Sequence, residues 1–265
     1  MTQLKTPLEV YKLLPGTNCG NCYKPSCLAF AAAVVKGDCR LIDCPYVKDA
    51  SGTTIASPET HALSEQLRLE KLAGLRRKIS RIDLAAAAER TEGEWSRGTL
   101  KIKCLGKDFL IDPAGLVSSQ CHTHSGLTIP LLQYILQCDG TPISGNWVPF
   151  RELPNGKASG ALFTQRCEQS LHRMADRHPD LFEDLVHIFS GIASHDLFSA
   201  DISVTLFPLP RVPILICYWQ HEEDLGSKIN FFYDHNAEHQ LEINSLYALG
   251  AGLVMMFEKI VARHS

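Results

Sequence analysis

The apolar positions of this 265-residue chain follow a helical period in some stretches and alternate in others. Leu63, Leu67, Leu72, Leu75, Ile79 and Ile82 recur at roughly helical spacing behind a Ser57 N-cap and Pro58 at the first helical position. That pattern predicts a long helix from about 58 into the eighties. The tract DLAAAAERTEGEW continues it or adds a short second helix. From about 99 the period becomes two: TLKIKCLGKDFLID alternates around Leu-Gly-Lys and predicts a β-hairpin. A helix follows at 128–138, ending at Asp139-Gly140, and WVPFREL reads as a strand. SGALFTQRCEQSLHRMADR and PDLFEDLVHIFSGIA are helical by period, with Pro179 between them. ISVTLFPLPRVPILICYW reads as two buried strands around Pro208–Pro213, and NFFYD as another. A helix over about 244–263, apolar at Leu246, Leu249, Leu253, Phe257 and Ile260, closes the pattern.

Residues 1–50 stand apart as a cysteine-rich unit, and DASGTTIAS at 49–57 is small and polar, as linkers are. The expected organisation is a cluster-binding domain at 1–50 and an α+β domain at 58–265. The latter has a helical lead-in at 58–95 and a body at 99–263, with a few mostly antiparallel strands backed by helices. No βαβ series occurs.

Composition changes this picture little: 45% hydrophobic and 21% charged residues are ordinary for a folded chain. No run of eighteen apolar residues occurs, so no membrane span is expected. The first residues lack the features of a signal peptide, which makes the cytoplasm the expected location. Charge is uneven, since residues 180–265 hold twelve acids against four bases while the whole chain is −3. Such asymmetry can orient docking on a charged partner, but it is too mild to point to nucleic acid.

The cysteines change the picture most. Ten in a cytosolic chain point to metal or redox chemistry rather than to disulfides. Cys104, Cys121, Cys138, Cys167 and Cys217 lie singly among apolar neighbours, as packed thiols do. Cys19, Cys22, Cys27, Cys39 and Cys44 crowd one short segment, LLPGTNCGNCYKPSCLAFAAAVVKGDCRLIDCPYV. Within it Cys19, Cys22, Cys27 and Cys44 have the spacing C-x2-C-x4-C-x16-C, with Pro45 after the last. A [4Fe–4S] cubane needs four thiolates converging tetrahedrally, so the chain must wrap it closely. Cys19 and Cys22 make a tight pair across Gly20, and a turn through Tyr23–Pro25 brings in the third ligand. A helix starting at Pro25 or Ser26 puts Cys27 in its first turn, where free N–H groups favour an anionic cluster. Leu28, Phe30, Val34 and Val35 supply apolar cover, which favours a low potential. The rival is zinc, which also accepts four Cys but whose ligands usually come as two short pairs.

Other candidates are weaker. Cys121-His122-Thr123-His124 offers soft ligands on one loop but lacks a fourth group. His235 and His239 are four apart, although Asn236 favours a turn over a helix face. Trp219 to Asp224 ends a buried strand in clustered acids, and Arg76, Arg77, Lys78 and Arg81 form a basic helix face. No dinucleotide fingerprint, phosphate-binding loop or nucleophile elbow occurs, so no catalytic signature accompanies the cluster motif and the expectation leans away from an enzyme.

Residues 7–48, through these four cysteines, resemble the N-terminal four-iron domain of the corrinoid iron–sulfur protein large subunit. The B subunit of the Rnf electron-transport complex opens with a similar module. The resemblance implies [4Fe–4S] binding by Cys19, Cys22, Cys27 and Cys44, and it leaves Cys39 outside the pattern. It covers about forty residues, and the chain has no room for the TIM barrel and corrinoid domain that follow in that protein. Residues 99–263, through YILQCDGTPISGNWVPFRELPNG, LPRVPILICYWQHEED and NFFYDHNAEHQLEINSLYALG, resemble an uncharacterised bacterial domain of unknown function. Two functions are therefore expected. One is a low-potential electron-transfer or redox accessory protein of anaerobic, corrinoid- or C1-type metabolism, with a redox protein such as a corrinoid-dependent enzyme as partner. The other is a ligand- or partner-binding module whose cluster is a sensor or staple.

Overall fold

The structure, a computed structural model, describes residues 6–16, 22, 24, 26–36, 39, 41, 44, 46–47, 58–120, 125–178, 180–194, 197–220 and 226–264. The expected linker at 49–57 and the Cys121–His124 loop lie outside these residues. The chain divides into two compact units, Met1–Glu70 and Lys71–Ser265.

The first unit is built on two short helices. Helix α1 (Pro7–Tyr11) opens with a capping box in which Glu9 N donates to Thr6 Oγ1 and Thr6 N donates to the Glu9 carboxylate. Helix α2 (Cys27–Lys36) starts where Ser26 Oγ accepts from Ala29 N at 3.1 Å. Val10 and Leu14 from the first helix and its exit pack with Phe30 and Ala31 of the second and with Val47. Helix α3 (Pro58–Ile79) begins in this unit and ends in the next. Its apolar stripe works as expected only from Leu72 onward: Leu75 and Ile79 are buried in the second unit's core, whereas Leu67 is exposed.

The second unit has the expected α+β class, with two antiparallel sheets. Helix α4 (Leu84–Arg90) is separate from α3, because Asp83 caps it by accepting from Ala85 N and Ala86 N. Strands β1 (Glu94–Ser96), β2 (Thr99–Cys104), β3 (Lys107–Ile111) and β4 (Val117–Ser119) form a meander in that order. The β2–β3 hairpin turns at Leu105 and Gly106, both at positive φ, as a two-residue hairpin loop of this twist requires. Helix α5 (Ser125–Gln137) follows. The second sheet has the order β5-β9-β8-β7-β6, from β5 (Trp147–Pro149), β6 (Ile192–Ala193), β7 (Ile202–Leu209), β8 (Val212–Trp219) and β9 (Lys228–Asp234). Helices α6 (Lys157–Phe163), α7 (Gln169–Arg177), α8 (Leu181–Phe189) and α9 (Ile243–His264) complete the unit.

One face of this second sheet (Val204, Leu206, Ile214, Ile216, Phe231, Tyr233) joins the main core with residues of α5, α7 and α9. The opposite face carries a small separate cluster of Leu215, Cys217 and Phe232, flanked by Trp147 and Trp219. The two sheets meet where Leu105 N donates to Phe207 O at 2.8 Å.

Four local expectations need correction. The EGEW tract is not helical. Glu92 turns to positive φ, a Cβ on Gly93 would meet Leu100 Cδ1 at 2.8 Å, and the chain leaves as β1. The strand expected through WVPFREL stops at Pro149, because Phe150 turns inward to stack on Phe163 with ring centroids 4.3 Å apart. The helix expected through SGALFTQRCEQS is interrupted by a π-helical turn at Thr164–Glu168, which leaves Cys167 fully buried. The helix expected through VHIFSGIA ends at Ser190 in the left-handed conformation, and Ile192–Ala193 pairs with β7 as an edge strand.

Candidate metal centre

Cys22, Cys27 and Cys44 are 8%, 4% and 3% exposed and belong to one hydrophobic cluster with Val10, Leu14, Phe30, Ala31 and Val47. A polar, ionisable thiol in such company is at home either as a neutral packed group or as a thiolate bound to a soft metal. Three of them, from separate points of the chain, pack into one small core. Cys27 is the first residue of α2, at the end of the helix where the macrodipole is positive. Leu41 O accepts from Cys44 N at 3.3 Å and Cys44 O accepts from Val47 N at 3.3 Å, so consecutive turns hold Cys44 in place.

Cys19 lies outside the described residues, and among those described no three His, Cys, Asp or Glu side chains form a ready-made metal set. The donor chemistry still fits an iron–sulfur cluster: buried sulfur ligands, apolar cover and a helix N-terminus beside them. Of the expected cover, Phe30 is fully buried and Val34 and Val35 pack against the cluster, but Leu28 is half-exposed. Val10 and Leu14 take its place. They sit in the LEVYKLL segment, whose apolar residues at Leu8, Val10, Leu13 and Leu14 were the available signal. Cys39 is half-buried, accepts a place against the same cluster, and donates its N–H to Ala33 O at 3.3 Å.

Among the described residues the other candidates do not assemble into a metal set. His235 and His239 lie on a 3-10 turn, and His239 Nδ1 is 3.1 Å from Asp139 Oδ2. Lys228 Nζ stands 5.2 Å from the Trp219 ring centroid, while His221 to Asp224 are outside the described residues. Arg77, Lys78 and Arg81 are solvent-exposed. Cys104, Cys138, Cys167 and Cys217 are buried as expected. Burial raises the thiol pKa of Cys138, Cys167 and Cys217 above the ordinary value.

The body also carries a cleft that the sequence motifs did not single out. It occupies about 740 Å³ on the outward face of the β1–β4 sheet, lined by Lys101, Lys107, Asp108, Leu110, Ser118 and Ser119. Lys101 pairs with Glu94 at 2.5 Å and Lys103 with Asp108 at 2.8 Å. The bond to Glu94 holds the Lys101 ammonium above its usual pKa, and the bond from Lys103 lowers that of Asp108.

Comparison with known proteins places the N-terminal segment among iron–sulfur domains: residues 14–46 match the family described as "Putative Fe-S cluster". Residues 83–256, well over half the chain, match the domain of unknown function DUF3786, and the chain belongs to that family. Over 46 residues it is 54% identical to the corrinoid/iron-sulfur protein large subunit of Moorella thermoacetica, covering 17% of this chain and 10% of that protein. Over 43 residues it is 46% identical to the acetyl-CoA decarbonylase/synthase complex subunit gamma 2 of Methanosarcina mazei, covering 16% and 9%. A gamma subunit from Archaeoglobus fulgidus is 47% identical over 49 residues, 18% and 10% of the two chains. The chain thus spans about a tenth of the length of these curated relatives. No solved structure matches it.

Proposed function

We propose that the chain is a [4Fe–4S] protein, ligated by Cys19, Cys22, Cys27 and Cys44, that carries single electrons at low potential. The observation that carries this reading is the burial of Cys22, Cys27 and Cys44 in one apolar cluster, with Cys27 at the start of α2. The short relatives, named as corrinoid/iron-sulfur and acetyl-CoA decarbonylase/synthase subunits, support a setting in anaerobic C1 metabolism. They also support a redox protein partner, such as a corrinoid-dependent enzyme. Among the described residues no helix is long and apolar enough to cross a membrane, which suits the proposed cytoplasmic carrier.

When bound, the cluster supplies a one-electron couple. The chain's own residues supply thiolate donors, exclude water through Phe30, Val10 and Leu14, and set local charge through the α2 N-terminus. The apolar side chains of Val10, Leu14 and Phe30 packed beside Cys22, Cys27 and Cys44 disfavour the added negative charge of the reduced state. A redox titration followed by EPR tests the reading: the midpoint belongs in the lower half of the roughly −700 to +450 mV range of iron–sulfur proteins. A midpoint above about 0 mV would contradict low-potential transfer.

A second reading rests on the 740 Å³ cleft of the body. In it the DUF3786 body holds a polar ligand or partner, and the cluster reports redox state to it. Affinity that is identical for oxidised, reduced and cluster-free protein would remove that reading.

A further inference from the structure

Away from the cysteines, a second group of ligating side chains meets at one end of the second unit's larger sheet. His172 and Asp176 stand four residues apart on α7, so one helical turn puts them on the same face. Lys228 places its ammonium over the Trp219 ring, and Ser227, one residue earlier, turns with Tyr218 to the α7 side. Tyr218 Oη and Ser227 Oγ each donate to Asp176 Oδ1 at 2.7 Å. His172 Nε2 lies 2.8 Å from Ser227 Oγ and 3.5 Å from Asp176 Oδ2. Since Ser227 gives its one proton to Asp176, its oxygen accepts from His172 Nε2–H. The His172 and Asp176 side chains are 32% and 41% exposed, open enough to admit an ion with its waters. Tyr218 is buried and stacks on Phe182 with ring centroids 5.3 Å apart, which anchors the group to the core.

We propose that His172 Nε2, Asp176 Oδ2 and Ser227 Oγ form a site for a borderline divalent cation of the zinc class, with water completing its coordination. Ligands held at zinc-bond lengths stand about 2.9 Å apart at an octahedral angle and about 3.4 Å apart at a tetrahedral one. The 2.8 and 3.5 Å separations from Nε2 already match those edges. An imidazole nitrogen beside carboxylate and hydroxyl oxygens suits zinc or nickel better than magnesium or calcium. Two strong ligands and a hydroxyl make an exchangeable site, not a closed structural one. Tyr218 does not touch the ion, and its bond to Oδ1 orients the carboxylate that does. On binding, neutral His172 exchanges its ring proton through solvent from Nε2 to Nδ1, so no proton is released. Ser227 keeps its own proton on Asp176 Oδ1. All these donors belong to the second unit, so the site stands apart from the cluster reading.

The test is equilibrium dialysis of the anaerobically purified full chain against micromolar zinc, beside His172→Ala, Asp176→Asn, Ser227→Ala and Tyr218→Phe. Zinc held by cysteines is common to all five proteins, so differences between them report this site. Wild type holds one zinc more per chain than His172→Ala or Asp176→Asn. Affinity at the site falls about threefold or more in Ser227→Ala and about tenfold in Tyr218→Phe. Equal zinc in wild type and His172→Ala overturns the proposal and leaves only a hydrogen-bonded network. A measurement on wild type alone covers variants that misfold: diethyl pyrocarbonate modification of the histidines, mapped by mass spectrometry with and without zinc. Zinc takes Nε2 and leaves the proton on Nδ1, so modification of His172 falls at least about tenfold. That of the exposed His187 and His235 stays the same. Unchanged modification of His172 at about a hundredfold excess of zinc over chain overturns the proposal.

Discussion

Asp234, 1% exposed, has a side chain that is costly to bury unless it is hydrogen-bonded. Its carboxylate accepts from Ser144 N and Oγ at 3.0 Å, Gly145 N at 2.7 Å and Asn236 N at 2.9 Å, which fixes the loop leading into β5. Asp234→Ala removes the acceptor shared by the exposed Ser144–Gly145 loop and half-buried Asn236. The expected cost is about 1–3 kcal/mol, read as a lowered urea midpoint at unchanged slope. Within NFFYDHNAEHQ only the local bond from Asn236 N is visible, because Ser144 and Gly145 lie about ninety residues upstream. The cysteines divide differently. Their spacing made the proposed quartet legible, since a local pattern of ligands is a local constraint. Cys138 looked like a packed thiol, yet its Sγ lies 2.9 Å from both Arg90 O and Gln240 Oε1, partners distant in sequence. Burial raises the pKa of Cys138, Cys167 and Cys217, so the reactive thiolate is scarce at neutral pH. These three should stay unlabelled by iodoacetamide in the folded protein and react once it is denatured. Native labelling of Cys167 would show that the π-helical turn opens.

At the scale of elements, the strongly periodic stretches were legible and the short edge strands were not. The β2–β3 hairpin, the β7–β8 pair around Pro208–Pro213 and the closing helix α9 all occur where alternation or helical spacing placed them. Strands β1, β4 and β6 are two or three residues long, too short for any period to register. They exist because tertiary pairing completes them, as tertiary context often overrides local propensity. Helix α5 starts at Ser125, earlier than the expected 128, which puts Pro130 inside the helix. Helix α4 depends on its cap: Asp83 supplies the acceptor for two N–H groups of its first turn. Asp83→Ala should cost about 1 kcal/mol, seen as a small drop in the thermal midpoint, and Asp83→Ser should recover most of it. The tight hairpin at Gly106 is more demanding. Its φ is +73° and a Cβ there would come 2.1 Å from Ser190 Oγ, so Gly106→Ala should destabilise by about 1–3 kcal/mol or more.

At the scale of the molecule, the described core of the second unit draws on residues from Leu72 to Val261 and needs no cysteine of the N-terminal segment. We therefore expect residues 58–265 alone to be a colourless domain that unfolds cooperatively without iron. The isolated N-terminal segment is too short to hold a fold by its small apolar cluster, so it should order only when metal is added. A molten 58–265 fragment would mean that the two parts stabilise each other. The body's cleft was not legible in the sequence, because Lys101, Lys107, Ser118 and Ser119 come together only through the pairing of β2, β3 and β4. The proposed cluster is tested most directly by iron, acid-labile sulfide and zinc per chain in anaerobically purified full-length protein, with EPR after reduction. About four irons and four sulfides per chain, with a one-electron reduced signal that vanishes in Cys22→Ala and Cys27→Ala, are the predicted result. One zinc per chain with no sulfide, or a wild-type signal in Cys27→Ala, would contradict it.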